Sequence, residues 1–238
     1  MLGLGSSLIR GSFTEAFTPL TISGLSLWLQ NGEGVAVDQW DDSSGNDNHI
    51  VQGTADVQAA VVDGGLDFEG TEGDFYTLSS DIAIAEQGNF SIFMVINIES
   101  FADGGAQNTL LGTGETATFF EFQNNKRIRI KTGEGTDIIE YPTNTFATGS
   151  KMLIHVKRAA GTQGPISVQK NGSTVTASSN PSGDGNNTGA ITFDRIGARN
   201  NDRYFDGIIY ELLFYGGSSL LTEEIDNVNN FLIAKHGL

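Results

Sequence analysis

From Leu25 to Tyr215 the chain is a succession of short runs in which apolar and polar residues alternate, each bounded by Gly, Asn, Asp or Ser. Side chains on a strand point to opposite faces in turn, so a period of two marks a strand with one buried face. The pattern predicts strands over 25–30, 36–40, 49–52, 57–62, 75–78, 90–98, 118–122, 126–131, 152–157, 166–169, 174–176, 190–196 and 208–215. About a dozen strands with tight turns suit two packed antiparallel sheets. The hairpin "ISVQKNGSTVT" is the clearest, because Asn171 and Gly172 both tolerate the positive φ of a type I′ turn. The period changes only at the end. Ile225, Val228, Leu232 and Lys235 recur at helical spacing after Thr222, a residue suited to an N-cap, and Gly237 can stop the turn. A helix is predicted over 222–236. Residues 1–20 show neither period and read as an anchoring or assembly arm, with Leu4, Leu8, Ile9 and Phe13 as its docking residues.

Composition narrows the picture. The 238 residues include 31 glycines, as many turns require, and 38% hydrophobic residues, enough for one core over 21–238. The formal charge of −16 repels phosphate backbones and anionic lipid, so neither nucleic acid nor membrane is an expected partner. With no cysteine there is no disulfide, thiol nucleophile or thiolate metal site. The opening residues lack a basic segment followed by an apolar one, so no secretion signal is expected.

The order of the segments resembles the laminin-G-like branch of the concanavalin A-like lectin/glucanase superfamily. "LSLWLQ" and "VAVDQWDDSSGNDNHIVQ" look like its opening strand and Trp-x-Asp-x-Ser-Gly segment. "LDFEGTEGDFYTL" looks like a strand pair, "NFSIFMVINI" like the central strand, and "RIGARNNDRYFDGIIYELLFY" like the long closing strand. The resemblance implies an all-β, two-sheet antiparallel jelly-roll sandwich with one C-terminal α-helix, expected to lie against an edge or open end. "MLGLGSSLIRGS" resembles the first residues of tailed-phage structural proteins. It implies a virion component, a capsid decoration or fibre-like protein on the virion surface. The major capsid protein, further copies of itself and a cell-surface glycan are its implied partners. The alternative is a freestanding carbohydrate-binding module of a bacterial surface protein, outside or on the cell.

Candidate chemistry is sparse. Glucanases of this superfamily carry closely spaced carboxylates on one strand, and no such run occurs here; His49, His155 and His236 stand apart, and no serine sits in a nucleophile turn. The expectation is therefore that the protein is not an enzyme and has no catalytic residue. Calcium is the one cofactor left open, through hard oxygen donors at Asp41, Asp42, Asn46 and Asp47, although Asx turns explain the same residues. Trp28 and Trp40 alternate in phase with apolar neighbours and read as core. Arg199, Asn200, Asn201, Arg203 and Tyr204 are the better glycan candidates. In "KRIRIK", alternation places Arg127, Arg129 and Lys131 on one face, a basic stripe suited to docking an acidic partner or another copy.

Overall fold

The computed structural model describes residues 17–101, 108–115, 118–162, 164–181 and 187–238. The expected arm residues Leu4, Leu8, Ile9 and Phe13 lie outside these. In chain order the strands are β1 (Leu25–Leu29), β2 (Gln39–Trp40), β3 (Ile50–Val51), β4 (Ala60–Val62), β5 (Gly65–Phe68), β6 (Tyr76–Ile84), β7 (Phe90–Ile98) and β8 (Asn108–Gly112). They continue with β9 (Phe119–Asn124), β10 (Arg127–Lys131), β11 (Thr136–Glu140), β12 (Met152–Arg158), β13 (Ile166–Lys170), β14 (Ser173–Val175), β15 (Ile191–Ile196) and β16 (Gly207–Gly216), followed by helix α1 (Thr222–His236).

Two antiparallel eight-stranded sheets face each other. Sheet A runs β14-β13-β12-β7-β16-β5-β4, with β1 paired to β16; sheet B runs β11-β10-β9-β8-β15-β6-β3-β2. The jelly-roll sandwich implied by the sequence is thus the fold. Leu27, Trp40, Phe68, Ile92, Met94, Phe120, Phe122, Ile128 and Phe214 belong to the core between the sheets. Trp40 fills this core as expected, donating its Nε1–H to the Gln30 carbonyl at 3.1 Å. Asn171 and Gly172 take φ of 47° and 75° in the β13–β14 turn.

The helix does not sit at an edge or open end. Ile225, Val228 and Leu232 are buried as expected, but they pack on the outer face of sheet A against Trp28, Phe93, Val95, Leu153, Leu213 and Tyr215, forming a second core. The reason lies in the strands: β7 and β16 are buried at almost every residue rather than at alternate ones, so both faces need cover. The first residue of α1 is Thr222 and the cap is Leu221, whose N–H is taken by the Glu224 carboxylate at 2.7 Å. Gly237, at φ 67°, closes the other end in the left-handed region.

Polar contacts fix the helix in place. Glu211, wholly buried on β16, accepts hydrogen bonds from Trp28 Nε1 (2.7 Å) and Lys235 Nζ (3.1 Å to Oε1), and lies 2.6 Å from His236 Nε2. Asn229 Nδ2 donates to Gln169 Oε1 at 2.7 Å, and the same oxygen lies 3.2 Å from His155 Nδ1. The His155 ring stacks on Phe93 with centroids 4.1 Å apart, and burial holds its pKa down to about 4 from 6.5.

Two outcomes follow from this packing. Leu232→Ala should destabilise the protein by about 3 kcal/mol in denaturant unfolding, within the range for a fully buried leucine. Between about pH 6.5 and pH 4 the unfolded chain binds a proton at residue 155 that the folded chain refuses, so His155 costs stability as pH falls through that window. His155→Phe keeps a ring against Phe93, so its unfolding free energy should fall less steeply than that of the wild type from pH 6.5 to 4.

Candidate functional site

The β9–β10 turn and the segment joining β11 to β12 meet at one end of the sandwich. In "YPTNTFATG" (141–149), Pro142 and Asn144 set a turn, Asn144 taking φ 66°. Phe146 then plunges into the core, wholly buried, 5.1 Å from Phe122 and 5.7 Å from Tyr141 between ring centroids. This pin holds the segment against the β9–β10 turn: Phe146 N–H donates to the Asn125 carbonyl at 2.9 Å, and Asn125 Nδ2 donates to Asn144 Oδ1 at 2.8 Å. The result is a cleft of about 570 Å³ lined by Phe101, Asn124, Asn125, Asn144, Ala147 and Thr148. Its walls are one half-buried aromatic ring, three carboxamides, a hydroxyl and a methyl, with no charged side chain. None of these residues stood out in the sequence reading; the signal available was two asparagine-bearing turns, which look like any other turns until the fold joins them.

The sequence-derived candidates fall elsewhere, and two of them converge. On the outer face of sheet B, Glu121 of β9 is wholly buried beneath guanidinium groups. Arg129 of β10 forms a close ion pair with Glu121 Oε1, Arg199 reaches Oε2 at 3.1 Å, and Thr109 Oγ1 donates to Oε2 at 3.3 Å. Both guanidiniums also lie over Phe119, Arg199 at 4.1 Å and Arg129 at 5.2 Å from the ring centroid. Burial pushes the Glu121 carboxyl above the usual carboxylate range, and Arg129 and Arg199 oppose that shift. The basic stripe and the 199–204 turn thus form one cluster. Around it Arg195 lies 4.9 Å from the Phe75 ring and donates to Asn201 at 2.6 Å; Arg203 pairs with Asp202 at 3.5 Å. Asn200, Asn201 and Arg203 all take positive φ, so this turn is tightly wound. Tyr204 is half-buried beside Gly73, where an added Cβ would meet its ring at 3.2 Å. Arg127 shares Glu140 with Lys126, at 2.6 and 2.8 Å, which holds the Glu140 carboxyl low.

The residues expected as metal ligands make the following hydrogen bonds. Asp42 gives Oδ1 to the N–H groups of Trp28 and Ser44 at 2.8 and 2.9 Å, and Oδ2 to Ser44 Oγ and the Asn48 N–H at 2.7 and 3.0 Å. Asp41 accepts from Gln39 Nε2 at 2.5 Å, Asn46 donates to the Leu25 carbonyl at 2.8 Å, and Asp47 is exposed at φ 58°. Among the described residues, the group whose ligand oxygens converge within 4.8 Å is Asp67, Glu69 and Glu99. Burial, then the neighbouring carboxylates, raises the Asp67 and Glu99 pKa values.

No protein-family model matches the sequence, and no curated protein matches it. Solved structures do match. A sialidase of Trypanosoma rangeli, in complex with the inhibitor DANA, superposes with a TM-score of 0.57 at 18% identity over 87% of this chain. The ligand binding domain of botulinum neurotoxin serotype D, in complex with N-acetylneuraminic acid, gives 0.57 at 17% identity over 88%. The receptor binding domain of the mosaic serotype C/D toxin gives 0.59 at 16% over 88%. This chain shares their sandwich. It spans 33% of the sialidase and 51% of each toxin domain. The sialidases correct one expectation. The sequence reading excluded an enzyme for want of glucanase carboxylates, but enzymes of another kind contain this sandwich, so missing glucanase carboxylates are no ground for that exclusion.

Replacing Glu121 by Ala should cost about 3 to 5 kcal/mol, because it leaves Arg129 and Arg199 crowded without their shared carboxylate. Denaturant unfolding measures this, and Glu121→Gln should restore part of the loss by keeping the hydrogen-bond acceptor.

Proposed function

We propose that this chain is a glycan-binding sandwich whose sugar site is the Phe101 cleft. The observation that carries the reading is the composition of that cleft. An aromatic ring offers a face to the C–H side of a sugar, while carboxamides and a hydroxyl offer paired donors and acceptors to its hydroxyls. Asn125 and Asn144 hold each other, so little ordering is left to be done when a ligand enters. The fold agrees, since it is shared with a sialidase and with toxin domains, one of them solved with N-acetylneuraminic acid.

Display on a virion is the setting we favour, with residues 1–20 as the anchor and the major capsid protein or further copies as the dock. The resemblance of the opening residues to phage structural proteins supports it. Pro19 accepts a hydrogen bond from Tyr215 Oη at 3.2 Å, and Tyr215 is opposite Ser91 at the start of β7. Phe101 follows the far end of that strand. At roughly 3.3 Å per residue, Pro19 and Phe101 thus lie toward opposite ends of β7, some 25 Å apart.

The experiment is a glycan-array screen of the full-length protein followed by titration of the best ligands. Asn125→Ala with Asn144→Gly, the glycine keeping the φ of 66° unstrained, should weaken binding about tenfold or more while moving the thermal midpoint only slightly, since both side chains are at the surface. Binding that survives the double substitution unchanged would place the sugar elsewhere.

A further inference from the structure

We propose that the ligand of the cleft is an acidic sugar chain, and that a row of cations leading away from the cleft reads its charges. The inference rests on the glycan reading and names the class of glycan.

The row begins at the cleft itself. Asn124 and Asn125 run directly into Lys126 and Arg127, and the Lys126 N–H donates to Asn124 Oδ1 at 3.0 Å. Along β10, Ile128 and Ile130 are buried in the core while Arg127, Arg129 and Lys131 stand half-exposed on the outer face. Strand geometry spaces these three side chains by about 7 Å, so the row extends roughly 13 Å from the cleft. Arg199 joins it beside Arg129, through Phe119 and Glu121.

Charge along the row is unbalanced. Glu140 serves both Lys126 and Arg127, Glu121 is one of the partners of Arg199 as well as of Arg129, and Lys131 makes no ion pair with a described residue. This concentration of cations stands on a chain of net charge −16. Arg129 and Arg199 crowd over one ring, where burial lowers the Arg199 pKa, Glu121 opposes that shift and the neighbouring Arg129 adds to it. A further oxyanion relieves this. Guanidinium forks match planar carboxylates and sulfates, and two such groups spaced along a chain would bridge Arg127 and Lys131. An acidic protein patch would satisfy the charge, but the row opens into an uncharged cleft of ring and carboxamides, which favours a sugar chain.

The test compares hexagalacturonate with its methyl ester, and a heparin hexasaccharide with its desulfated form, by titration into the full-length protein at low and high salt. At least one acidic form should bind about tenfold or more tighter than its neutral counterpart, with an advantage that shrinks as salt screens it. Which pair shows the effect tells carboxylate from sulfate. Arg127→Gln with Lys131→Gln, both at the surface, should bring the acidic sugar down to the affinity of the neutral one, with the thermal midpoint as a check on folding. Equal binding of acidic and neutral forms, or an advantage untouched by the double substitution, would overturn the inference and leave the glycan reading standing. If only neutral sugars on the array bind, the result is the same. If no sugar binds anywhere, the reading beneath it fails. Polyglutamate binding more tightly than any acidic sugar, and depending on Arg127 and Lys131, would make the row a protein-docking face instead.

Discussion

Phe93 and Val95 alternate with Ile92, Met94 and Ile96 on one strand, so β7 carries apolar side chains on both faces and is stable only if both are covered. The second sheet covers one face and the helix the other. Everything about the C-terminal segment answers this requirement, down to the Glu211 carboxylate that sits within the second core and is met by Trp28, Lys235 and His236. A carboxylate so deeply buried is tolerable only with such partners, and they come from the first strand and the last turn of the helix. The hub therefore ties the beginning of the sandwich to its end.

Covering sheet A has a consequence for where recognition can occur. The helix covers the outer face of sheet A over β7, β12 and β16, whereas among the described residues the outer face of sheet B carries no helix. The cation cluster lies on that face and the cleft at one end of the sandwich. Both are built on the same pair of strands, β9 and β10, whose inward residues Phe120, Phe122, Ile128 and Ile130 fix them rigidly against the core. Rigid strands carrying a variable outer face are a common arrangement for binding proteins, because the scaffold supplies position and the exposed residues supply chemistry.

The sandwich was legible because most strands alternate, and the terminal helix because its period differs. Alternation missed β5, which the resemblance supplied as half of a strand pair, and two further strands escaped for physical reasons. In β11 the inward-facing Asp137 breaks the alternation, being buried against Asn187 by two hydrogen bonds of 3.0 and 2.9 Å. In β8, "NTLLG" buries Asn108 and Thr109 as fully as its leucines. The seat of the helix was misjudged although the clue was present: "SIFMVINI" and "IIYELLFY" are too continuously apolar for a sheet with one wet face. Of the candidate sites, alternation placed the basic residues on one face correctly, but nothing local could reveal that Arg199, seventy residues on, would share a carboxylate with Arg129. The cleft was invisible for the same reason, since Phe101, Asn125 and Asn144 become neighbours only when three loops meet.

The tight turn between β13 and β14 lies under the helix, and a Cβ added to Gly172 would come within 3.3 Å of Ile233 Cδ1. That glycine is thus constrained twice, by its own φ of 75° and by the side chain above it. Positions 172 and 233 are some sixty residues apart, yet neither is free to drift alone. Across any lineage of such proteins a larger residue at the turn would have to arrive together with a smaller one on the helix, and a hairpin borrowed from another sandwich would have to bring its own matching helix with it.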